Sequence, residues 1–114
     1  MMFRKRNRTI LEETLTNIGG IDVHSDVGRA LLNKMIECGY LDDEVIIEWV
    51  LGTPILQVYR KEPYGWLASI QEKYVNRSDG LRKFNIWYVN SFGNKGSAKV
   101  YSKYDIYGKL ITGV

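Results

Sequence analysis

His24 is the only histidine of the chain, and it stands in the segment DVHSD beside Asp22, Ser25 and Asp26. Imidazole, carboxylate and hydroxyl are the components of a hydrolytic triad, which works only when nucleophile, base and orienting group converge in space. Near neighbours at a helix start do not converge in that way, and Ser25 and Asp26 are better used as helix caps. A metal centre needs several ligands at coordinated spacing. One histidine, one cysteine (Cys38) and scattered carboxylates lack that spacing. The run Gly93-Asn94-Lys95-Gly96-Ser97 has the composition of a phosphate loop. Its lysine precedes the second glycine, however, and its setting is strand–loop–strand, where phosphate loops open a helix. The expectation is a chain without catalytic residues, cofactor or metal.

Binding chemistry is the alternative, and it concentrates near the C-terminus. In KVYSKYDIYGKLITG, lysine and tyrosine alternate with apolar residues. On a strand, Lys99, Tyr101 and Lys103 project to one side, and Ala98, Val100, Ser102 and Tyr104 to the other. Aromatic rings stack on bases while lysines neutralise phosphates, which is how single-strand-binding sheets work. Tyrosine and tryptophan equally anchor protein interfaces. The plainest use is a wet strand whose lysines guard an edge. The N-terminal arm supplies a second basic group, Arg4, Lys5 and Arg6, which could clamp a phosphate backbone, touch an acidic protein or simply fray. These six residues form the expected partner-binding set.

Charge is distributed unevenly. Residues 1–10 carry +4, residues 11–50 carry −7 and residues 51–114 carry +6, within a net charge of +3. Such local fields steer partners more than the total does. Of the 14 aromatic residues, 11 lie between Tyr59 and Tyr107, so the basic segment is also the aromatic one. At 114 residues, with 45% apolar and 25% charged residues, the chain suits one domain with one core. The lone Cys38 falls late in an apolar helical pattern and reads as a buried small hydrophobe. No apolar run reaches the ~18 residues of a membrane span, and Glu12 and Glu13 interrupt any signal-peptide core. A cytoplasmic protein that does not engage membranes is expected.

These residues need elements to hold them. Thr9 with Glu12 fits a capping box, followed by Ile10, Leu11, Thr14, Leu15 and Ile18 on one stripe and a Gly19-Gly20 stop. Ser25 or Asp26 opens a second helix, with Val27, Ala30, Leu31, Met35 and Cys38 on one face before Gly39. The segment LDDEVIIEWVLGTP has β-branched residues, but three acids before it and Gly52 and Pro54 after it point to a third helix over 42–51. That helix would bury Val45 and Trp49 on one stripe and leave Glu44 and Glu48 exposed. From Ile55 the punctuation is that of strands: ILQVYR, an EPYG turn, WLASIQEKYV, an NRSDG turn, RKFNIWYVN, and an SFGNKGS loop. Trp66, Ile70 and Tyr74 would also share a helix face, so both helix and strand stand open over 65–75. AKVYSKY would then pair with KLITG around a type I turn from Asp105 to Gly108.

The predicted architecture is α+β: about three N-terminal helices packed on a C-terminal antiparallel meander of four to five strands. Residues 1–8 form a basic arm, 9–52 a helical half and 55–113 the sheet, within a single domain. One sheet face packs on helices and the other meets solvent or a partner.

This order of elements resembles, in outline, the small metal-independent ribonucleases of the barnase type. The resemblance implies a sheet face on which a base, an arginine and a histidine cleave RNA. No histidine lies in the sheet half here, so Arg60, Glu62, Glu72, Arg82 and several tyrosines would have to supply the groups. An RNA-cleaving enzyme is therefore the third reading. The first is a non-enzymatic module that binds a protein partner and inhibits or regulates it, in the style of a viral or mobile-element effector. The second is a nucleic-acid-binding regulator that uses the arm and the lysine–tyrosine strand. Faces of opposite charge also permit self-association.

Overall fold

The structure is a computed structural model describing residues 9–53, 55–73 and 78–111. The arm, with Arg4, Lys5 and Arg6, lies outside the described residues. Helix α1 (Ile10–Asn17) starts where Thr9 Oγ1 accepts the Glu12 N–H at 3.1 Å, and it buries Leu11 and Leu15. Ile10 and Ile18 complete the apolar stripe in sequence, yet they are exposed at the helix ends. Helix α2 (Asp26–Glu37) starts at Ser25, whose hydroxyl accepts the Gly28 N–H at 3.0 Å. It buries Val27, Leu31 and Met35, with Cys38 as its buried C-cap. Gly39 follows at φ 100°, a left-handed conformation that glycine adopts without penalty.

Five strands follow: β1 (Val45–Trp49), β2 (Ile55–Arg60), β3 (Gly65–Lys73), β4 (Arg82–Val89) and β5 (Lys95–Ser102). They form one antiparallel sheet in the order β1-β2-β3-β4-β5, a plain meander. The α+β class and the five-stranded antiparallel sheet agree with the sequence reading. The helix expected over 42–51 is instead β1, so two helices are present among the described residues and the sheet begins at Val45, ten residues before the expected start at 55. The reason is tertiary. Asp43 pairs with Arg60 at 3.5 Å and Glu44 with Lys61 at 3.7 Å, so the acids face cations on and just after β2 and cap no helix. Val45, Ile46 and Ile47 gain more from ladder packing than from a helix that their branched side chains disfavour.

Two further boundaries move. The expected SFGNKGS loop shrinks to a tight turn, because Lys95, Gly96 and Ser97 belong to β5. The residues after β5 turn as expected, with Gly108 N–H donating to Asp105 C=O at 3.0 Å. Their pairing is limited to the Tyr104–Leu110 bridge and its flanking bonds, and β5 takes its ladder from β4.

Both helices lie on one side of the sheet, α1 over β1 and α2 over β3, β4 and β5. The core between the layers contains Leu11, Leu15, Leu31, Met35, Leu56, Val58, Ile70, Phe84 and Ile86. In β3 the register shifts opposite Val58 and Tyr59, and Leu67 is an extra residue. Leu67 and Ala68 are consecutive and both buried, as a bulge permits. Tyr40 ties the layers together: it is 2% exposed, and its hydroxyl donates to the Val89 carbonyl at the end of β4.

Candidate functional site

The helices leave the opposite face of the sheet uncovered, and strand alternation determines which residues occupy it. Leu56, Val58, Ile70, Phe84, Ile86 and Val100 point toward the helices. Their neighbours in sequence therefore form the open face. The registers align them in rows across the sheet: Glu48, Gln57, Ser69, Trp87 and Ser97 form one, and Ile55, Gln71, Asn85 and Lys99 the next. Lys73, Lys83 and Tyr101 make a third row.

The centre of the face is a fixed polar-aromatic cluster. Trp66 Nε1–H reaches both Gln57 Oε1 at 2.9 Å and Ser69 Oγ at 2.8 Å, and the Ser69 hydroxyl donates to Gln57 Oε1. Ser69 is buried beneath this arrangement although its strand face is the open one. Toward the β2–β3 turn, Tyr59 and Tyr64 stack with centroids 5.3 Å apart and planes 8° from parallel. Side chains held in this way lose little further entropy when a partner covers them.

Charge on the face grows toward β5. Lys73 and Lys83 are direct cross-strand partners, and Lys99 lies in the adjacent row next to Asn85. Like charges placed directly opposite each other destabilise a sheet unless an anion neutralises them. Lys99 and Lys103 are exposed, and Tyr101 is 42% exposed. Lys99 and Tyr101 of the expected stripe thus sit on the open face, with Val100 packed against the core behind them, whereas Lys103 follows the end of β5 and lies outside its alternation. Sequence reasoning singled out this outer strand and missed the centre, Tyr59, Trp66 and Trp87 with Gln57 and Ser69. The signal was available in RKFNIWYVN, where Lys83, Asn85 and Trp87 alternate with the buried Phe84 and Ile86.

The residues that suggested catalysis serve the backbone. Asp22 Oδ1 accepts the His24 N–H at 2.9 Å, and Ser25 Oγ donates to the Asp22 carbonyl at 2.7 Å. His24 itself is exposed. Among the described residues no three His, Cys, Asp or Glu side chains group as metal ligands, and no helix is long and apolar enough to cross a membrane. Comparison with protein families, curated proteins and solved structures gives no match to this chain.

Proposed function

We propose that the protein is a non-enzymatic binding module whose open sheet face docks on a protein partner and thereby inhibits or regulates it. The observation that supports this most is the composition of that face. Tyr59, Trp66, Trp87 and Tyr101 are spread over four adjacent strands, interleaved with Gln57, Ser69, Gln71 and Asn85. Protein interfaces are enriched in aromatic anchors surrounded by adaptable polar groups. The acidic helical layer behind and the lysines in front give the molecule direction as it approaches an acidic surface.

A second reading rests on the Lys73–Lys83 pair with Lys99 and Tyr101, which would suit the phosphates and bases of a single strand. One experiment separates the two. Tagged protein is used to capture partners from the native host after nuclease treatment, beside Trp87→Ala and Tyr101→Ala. Protein binding predicts a retained polypeptide that each variant weakens by more than ~1 kcal/mol. If capture vanishes with nuclease, and if binding to short RNA or DNA falls with salt by up to ~1 log unit per log unit for each lysine, the nucleic-acid reading replaces the first.

A further inference from the structure

The edge of the sheet at β1 presents backbone that no neighbouring strand covers among the described residues. In the β1–β2 ladder, Lys61 N–H donates to Glu44 C=O at 3.0 Å and Val50 N–H to Ile55 C=O at 2.9 Å. Antiparallel ladders alternate, so Ile46 and Glu48 also direct their backbone groups toward β2, and Val45, Ile47 and Trp49 direct theirs outward. The outward N–H and C=O groups of these three residues make no hydrogen bond within the described residues. An edge in this state is normally blunted by lysine, proline or a bulge. The β5 edge has Lys95 and Lys99, whereas β1 reads VIIEW with none of these. Beside it runs a groove of about 250 Å³ between β1 and α1, lined by Thr14, Ile18 and Val45 to Ile47, together with the paired Glu44 and Lys61. Ile18 is 74% exposed there.

The geometry points to β-strand addition at β1 by an extended segment of a protein partner, with apolar side chains alternating with lysine or arginine. Its backbone would pair with Val45, Ile47 and Trp49, its apolar side chains would enter the α1 groove, and its cations would lie on the open-face side beside Glu48. Charge favours this occupant over a second copy of the chain. Two β1 strands paired antiparallel about Ile47 would set Glu48 of one copy diagonal to Glu44 and Glu48 of the other, gathering four carboxylates against only the two Lys61 cations paired with Glu44. A basic strand relieves that repulsion.

The test uses the full isotopically labelled chain at neutral pH and low salt, with two blocked eight-residue peptides of alternating Lys–Val and Glu–Val as probes. The Lys–Val peptide should bind at least about tenfold more tightly than the Glu–Val peptide and slow amide exchange at Val45, Ile47 and Trp49 at least about tenfold. Glu48→Lys and, separately, Ile18→Asp should each weaken it at least about fivefold while leaving the fold's spectrum intact; both positions are exposed. Equal binding of the two peptides, or unchanged exchange at the three amides under saturating Lys–Val peptide, overturns the proposal. So does protection of those amides by raising the concentration of the chain alone, which would assign the edge to a second copy. Binding confined to β5 or the open face also overturns it and leaves the open-face reading standing.

Discussion

Trp49 shows how one side chain changes meaning once its element is known. As a helical residue it would be core; on β1 it is 51% exposed, with Nε1–H donating to Tyr107 Oη at 2.7 Å and ring centroids 6.0 Å apart. Trp49→Ala should therefore cost only about 1–2 kcal/mol in chemical denaturation, the sum of a hydrogen bond and a tilted ring pair. Leu15→Ala, at a fully buried position, should cost about 2–5 kcal/mol. Burial raises the Tyr107 phenol and the Trp49 hydrogen bond lowers it. Trp49→Phe, which keeps an aromatic ring beside Tyr107 and removes only the donor, should consequently raise Tyr107 further, as followed by phenolate absorbance. Tyr40 and Cys38 are also raised, burial being the first cause in each. An acid whose folded pKa is raised keeps its stabilising effect below the unfolded value and loses it as pH climbs through the folded one. Denaturation midpoints should thus fall on the alkaline side of the ordinary thiol and phenol values, and less steeply in Tyr40→Phe. That variant should lose about 1–2 kcal/mol at neutral pH, because the Val89 carbonyl loses its donor.

At the scale of elements, the two helices and their caps were legible because Thr9, Ser25 and Gly39 act through local chemistry. β1 was misread because DDE before an apolar run marks a helix start locally, and only the distant Arg60 and Lys61 give those acids other work. Gly28 was illegible for a similar reason. A glycine in the first turns of α2 looks like a weak point, but a Cβ added there would stand 2.0 Å from the Asp22 carbonyl oxygen. Its absence lets α2 settle against the loop that also holds Ile106 through the Asp22 N–H. Gly28→Ala should therefore destabilise by about 1–3 kcal/mol despite alanine's better helix propensity. A gain in melting temperature would show that the loop yields instead.

At the scale of the molecule, the two-layer plan followed from helices segregated from strands, and Lys99 and Tyr101 were placed opposite Val100 in β5 by alternation alone, although β5 ends at Ser102, before Lys103. The aromatic centre of the face was not, since pairing Trp66 with Gln57 and Ser69 requires the bulge at Leu67 and the strand registers. The separation of faces makes a measurable prediction. Tyr101→Ala, Lys99→Ala and Lys83→Ala should each alter stability by less than about 1 kcal/mol, whereas Phe84→Ala, next to Lys83 in sequence, and Ile86→Ala, whose partner Ala98 precedes Lys99, should cost about 2–5 kcal/mol. Urea midpoints for the five variants would check this, and unfolding of Tyr101→Ala would place that ring in the core.

That alternation has a consequence for how such a chain changes over generations. In β4 and β5, successive codons answer to different demands, every second one to folding and the others to whatever the surface meets. Point substitutions can redraw the surface while the fold is conserved by its silent neighbours, so recognition can drift quickly at little structural risk. Loss or gain of a single codon within β4 is a different event, because it turns Lys83, Asn85 and Trp87 inward and Phe84 and Ile86 outward at once. Lineages of this protein should accordingly accumulate replacements on these strands freely and tolerate length changes only in the turns.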